Sequence, residues 1–181
     1  MEKRSKVFYF IGKLVIYTIL AVLVLIFRIF CVEHLKYFIA FLMLLYAVEE
    51  VVFEIIFGHR HILHSDKLYL AIIEVILGVV LLVSNVAYDS VCIIWATWSI
   101  LREAYEIKEI ITEMKAIFPR VLSGVESLTT IVFSVMLILE PGEHHAMIHI
   151  YLLLAELVLA GLVPLLDELL EKKEKTVVNN Q

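Results

Sequence analysis

The chain has 181 residues, 62% of them hydrophobic, with a mean hydropathy of +0.94 and a formal net charge of −5. Soluble domains are about 45–50% apolar, so a single soluble core of this length is excluded and the surplus apolar side chain is expected to face lipid. Only two cysteines are present, Cys31 and Cys92, without a CxxC or other metal-ligand spacing.

A membrane helix needs roughly 20 mostly apolar residues. Windows at about 7–29, 37–57, 68–87, 89–107, 118–139 and 146–168 qualify. The expected architecture is all-α: one integral membrane domain over 1–181, with six transmembrane helices arranged as three helical hairpins. The cuts fall at "VEHLK", "GHRHILHSDK", "SNVAYD", "KEIITEMK" and "EPGEHH". The first window resembles a signal sequence, but its apolar run is too long for an h-region and no A-x-A site follows. It is read as an uncleaved first membrane helix.

The second window, "YAVEEVVFEIIF", carries Glu49, Glu50 and Glu54. The third carries Glu74 in "AIIEVILG", and aligns Ala71, Glu74, Gly78 and Asn85 on one side. The fourth carries Arg102, Glu103 and Glu106 in "WATWSILREAYEIKE" and continues as an amphipathic extension at about 104–118. In that extension Ile107, Ile110, Ile111, Met114 and Ile117 make an apolar stripe, with Lys108, Glu109, Glu113 and Lys115 opposite. The stripe suits a membrane surface or a partner protein, and the mixed charges argue against a basic lipid-binding or nucleic-acid surface. Pro119 then opens the fifth helix as a first-turn proline. That helix holds Glu126 and aligns Ser123, Ser127, Thr130 and Ser134, a pattern that lets helix backbones approach closely. The sixth holds Glu156, and the polar tail at about 171–181 is expected to be frayed.

Orientation follows from the basic residues. Lys3, Arg4, Lys6, Arg60, Lys67, Lys108, Lys115, Arg120, Lys172, Lys173 and Lys175 fall on one side, eleven in all, against Arg28 and Lys36 on the other. Lys13 and Arg102 lie inside spans. Both termini are therefore expected in the cytoplasm.

At about 1.5 Å per residue, Glu50, Glu74, Arg102, Glu103 and Glu126 fall at one depth, just cytoplasmic of the midplane. Glu54 and Glu106 lie about a turn deeper, and Glu156 lies near the middle on the outer side. A charge at the bilayer centre costs about 2.5–3.5 kcal/mol on the insertion scale, so these groups are expected to face inward and meet. Arg102 is read as the only cation at this depth. The surplus carboxylates must then be protonated, line a wet cavity or bind a cation.

His59, His61 and His64 cluster in one loop, and His144, His145 and His149 cluster at the external end of the sixth helix. His145 and His149, four residues apart, are weak metal-ligand candidates together with Glu143. Cys31 and Cys92 lie near the external surface, either as free thiols or as a disulfide.

Residues 77–85 ("LGVVLLVSN") align without gaps with 133–141 ("FSVMLILEP"), and "YAVEEVVFEI" aligns loosely with "SILREAYEIK". On these features the chain resembles the HdeD-type acid-resistance membrane proteins, which are built from short hairpin repeats. "LILEPGEHHAMIHIYLLLAELVLAGLVPLL" carries the resemblance best: an apolar helix, a Pro-Gly turn and a helix with a central glycine. "WATWSILREAYEI" is similar to the same second-helix pattern, with Glu103 where the family prefers glycine, and Glu50 departs in the same way. The resemblance implies a bacterial plasma-membrane protein linked to acid or envelope stress, with no established chemistry.

The expected function is that of a small multi-pass membrane protein whose buried Glu/Arg network organises the bundle and senses protons. It needs no cofactor and no enzymatic chemistry. A proton or cation transporter or channel is the alternative, and a membrane anchor or subunit is another. The expected partners are the lipid bilayer and a further copy or a partner membrane protein, with no nucleic acid.

Overall fold

The computed structural model describes residues 2–57, 66–112, 114 and 116–178, with side chains over 9–52, 68–108, 110–112, 114 and 116–170. Within these residues the chain is all-helical, in the order α1 (Glu2–Ile26), α2 (Arg28–Glu33), α3 (Leu35–Phe57), α4 (Asp66–Val83), α5 (Tyr88–Thr112), α6 (Ile117–Leu139) and α7 (Glu143–Val178). The stretches Tyr9–Ile26, Ile117–Leu139 and Glu143–Leu170 are long and apolar enough to cross a membrane, and Leu68–Val83 is a shorter apolar stretch. α3 and α5 are comparable in length, but they carry the charges of Lys36, Glu49 and Glu50 and of Arg102, Glu103 and Glu106.

The outer surface is apolar. Ile16, Ile26, Val48, Val83, Leu128 and Leu139 are all mostly exposed. Soluble monomers rarely expose contiguous apolar patches beyond a few hundred Å², and lipid is the solvent that suits such a surface. The core lies between the helices and includes Ile39, Met43, Tyr46, Leu81, Trp95, Leu137, Ile150 and Leu157.

The expected element boundaries need four corrections. "VEHLK" is not a loop: α2 runs to Glu33, His34 alone interrupts the helix, and its N–H bonds back to the Phe30 carbonyl. The fourth helix and its extension form one continuous helix that stops at Thr112. The apolar stripe of the extension is split, because Ile110 is buried while Ile111 and Ile117 stand out from the surface. The tail is helical through Val178, so α7 is a single 36-residue helix. At 1.5 Å per residue it is about 54 Å long, well beyond a hydrocarbon core of about 30 Å.

The closest packing joins α3 to α4, α5 to α6 and α1 to α7, with α6 on α7 next. Two of these pairs are one helix out of step with the hairpins read from the repeat. Small residues set two of the crossings. A side chain at Gly78 would press on the Ala40 carbonyl and Leu44 of α3, and one at Gly161 would meet the Leu14 backbone of α1 at 2.5 Å. The long-range pairing is completed at one end by Lys36 Nζ, which donates to the Ser84 carbonyl at 2.7 Å. Another tie runs from the Ala116 N–H, ahead of α6, to Asp167 of α7 at 2.8 Å. Cys31 and Cys92 are both buried and free.

Candidate functional site

The site grows from two adjacent residues of α5. Successive helical residues point about 100° apart, so Arg102 and Glu103 address different neighbours. Arg102 turns toward α3, α4 and α7. Its guanidinium Nη1 lies 3.1 Å from Glu74 Oε1 and 3.7 Å from Glu50 Oε1, and its Nε lies 3.6 Å from Glu156 Oε1. Trp98, one turn earlier on α5, donates its indole N–H to the same Glu74 oxygen at 3.1 Å. Tyr46 of α3 donates its hydroxyl to Glu156 Oε1 at 3.0 Å and lays its ring against the guanidinium, 3.6 Å from centroid to Cζ. One cation on α5 is thus shared by carboxylates of three other helices.

Glu103 faces the other way and is 1% exposed. Carboxylate oxygens of Glu103, Glu126 and Glu156 all lie within 4.8 Å of one another, drawn from α5, α6 and α7. Neither Glu103 nor Glu126 forms an ion pair among the described residues. Thr130 donates to Glu126 at 3.3 Å. Glu156 belongs to both groups and joins them.

The hydroxyl stripe of α6 extends this acidic centre along the bundle. Ser123, Ser127, Thr130 and Ser134 are all buried. Ser123 donates to Glu106 at 3.1 Å, and Ser134 shares a 2.8 Å hydrogen bond with His149 Nε2. His149 is buried against Trp95, with ring centroids 4.6 Å apart.

Glu49 stands apart from Arg102. It pairs with Lys13 of α1 at 3.0 Å and accepts the Tyr9 hydroxyl at 3.0 Å. Arg102 is therefore not the only cation in the network. Lys13, which the sequence places inside the first span, is paired there with Glu49. Its position carried a sequence signal, since Tyr9, Lys13 and Tyr17 recur every fourth residue of α1. Tyr46 and Trp98 are the other functional side chains that sequence reasoning missed.

The remaining candidates are scattered. The Glu54 side chain and His59, His61 and His64 lie outside the described residues. Glu143 and His144 are exposed, and His145 bonds to the Glu140 carbonyl at 3.0 Å. His149 points into the bundle toward Ser134, so Glu143, His145 and His149 do not converge. Among the described residues the convergent set of possible ligands is Glu103, Glu126 and Glu156.

No protein-family model, curated protein or solved structure matches the chain. The resemblance to HdeD-type proteins rests on the repeat pattern alone.

Proposed function

We propose that the chain is a multi-pass membrane protein in which all six long helices cross the bilayer, with both termini in the cytoplasm. Its Glu/Arg core holds the bundle together and responds to protons, and no catalytic role is assigned to it. The observation that carries this reading is the shared guanidinium of Arg102, within 4 Å of carboxylates on α3, α4 and α7. In a bilayer the apolar effect does not drive one helix onto another, so small-residue packing and polar contacts must do it. A single cation bonded to three helices supplies such a contact. The carboxylates outnumber the cations they meet, which makes the core sensitive to any proton or cation that reaches it. The eleven-to-two asymmetry of basic residues supports the orientation.

A second reading is proton or cation permeation. It is favoured by the buried file of Ser123, Ser127, Thr130, Ser134 and His149 that runs from Glu106 past the three clustered glutamates. Purified protein in liposomes with an internal pH dye, under an imposed pH gradient or potassium diffusion potential, separates the two. The organising reading expects no protein-dependent flux from the parent protein. Flux that Glu103→Gln abolishes, in a protein whose melting is unchanged, would replace it with permeation.

A further inference from the structure

We propose that Glu103, Glu126 and Glu156, with the Ser127 hydroxyl, form a binding site for a divalent cation that prefers oxygen ligands, of the Mg²⁺, Mn²⁺ and Ca²⁺ class. The inference goes beyond the organising role of Arg102, because Glu103 and Glu126 form no ion pair with that residue.

Three helices each contribute one carboxylate, and their oxygens lie within 4.8 Å of one another. Ionised carboxylates are acceptors only, so this is a gathering of acceptors. A second observation points to a ligand. Ser127 is fully buried, and its Oγ faces the Glu103 carboxyl without completing a hydrogen bond. Glu103 Oε2 is likewise buried and without a hydrogen-bond partner. Buried polar atoms are almost always satisfied, and two unsatisfied oxygens beside a carboxylate cluster are satisfied together by one cation. The donors are carboxylate and hydroxyl oxygens without sulfur or imidazole. That set suits hard cations rather than zinc or copper. Each donor comes from a helix rather than a loop, so the site is held at its spacing by the packing of α5, α6 and α7. Glu126 is only partly buried, so the cluster is not fully enclosed by protein.

The test uses the full-length protein in detergent, stripped with a chelator and titrated with Mn²⁺. Free Mn²⁺ is read by electron paramagnetic resonance, and the thermal midpoint is read in parallel. One Mn²⁺ per chain and a raised midpoint are expected. Glu126→Gln and Ser127→Ala should still fold and should weaken binding by about tenfold or more, while Glu49→Gln binds as the parent does. Glu103→Gln is the more disruptive variant and serves as a third arm. Binding should weaken as pH falls, because protons compete for the same oxygens. The proposal is overturned if the parent binds no Mn²⁺, if E126Q and S127A bind as tightly as the parent, or if acidification alone raises the midpoint and Mn²⁺ adds nothing. Loss of binding in Arg102→Ala with E126Q unaffected would likewise overturn it, by moving the ion to the Arg102 side.

Discussion

The Arg102 guanidinium carbon lies 3.6 Å from the centre of the Tyr46 ring, and the Tyr46 hydroxyl donates to the same Glu156 oxygen that Arg102 Nε approaches. Tyr46 therefore holds the cation by its face and the cation's counter-ion by its edge. A cation against a ring, once desolvated, is stabilised by about 2 kcal/mol or more. The triangle fixes α3, α5 and α7 relative to one another.

Arg102→Ala should be the most damaging single change in the core. Removing one partner of a buried ion pair costs about 3–5 kcal/mol in soluble proteins, and less where polar contacts in membranes have been measured. The thermal midpoint in detergent should fall further than in Lys13→Ala, because Arg102 meets carboxylates of three helices whereas Lys13 pairs with Glu49 of α3. Arg102→Lys should recover only part of the loss, because an ammonium cannot reach three carboxylates and stack on a ring at once. Equal, small shifts for all three variants would show that the shared guanidinium does not hold the bundle.

Gly161→Ala should destabilise the protein more than Gly124→Ala. The new methyl at Gly161 would meet the Leu14 backbone at 2.5 Å, whereas nothing lies within 4 Å of a methyl at Gly124. Backbone cannot rotate away as a flexible side chain can, so α1 must separate from α7. The two midpoints, measured side by side in the same detergent, decide the matter, and a neutral Gly161→Ala would contradict the close crossing.

His149→Leu should cost less than His149→Ala. Leucine fills most of the space beside Trp95, and the Ser134 hydroxyl can turn back to a carbonyl of its own helix. Alanine leaves both a lost bond and a cavity, and large-to-small core changes commonly cost about 2–5 kcal/mol. Denaturation followed by tryptophan fluorescence reports the difference, and a reversed order would mean that the space beside Trp95 does not accept a leucine.

A reporter active only in the cytoplasm, fused after Gln181, should be active, and one inserted in "EPGEHH" should be silent. The opposite result at either position would break the proposed six-span topology.

Much of the site was legible because depth along a helix is arithmetic. Glu50, Glu74, Arg102, Glu103 and Glu126 share a level that a fixed rise per residue locates. Glu156, expected near the middle on the outer side, meets the same groups, with its carboxylate 3.6 Å from Arg102 Nε and within 4.8 Å of those of Glu103 and Glu126. The partner of Lys13 was not legible, because Glu49 sits on a helix distant in sequence. Helix pairing was the least legible feature. Apolar faces built from Leu, Ile and Val mark burial without naming a neighbour, and only glycines such as Gly78 and Gly161 point to a particular crossing.

The seat of α1 against α7 has a consequence for how the bundle is assembled. α1 is made well before α7, so its principal neighbour arrives only after α3, α4, α5 and α6, and the crossing of Leu14 on Gly161 forms late. Until then Lys13 has Glu49 of α3, a partner much nearer in the chain.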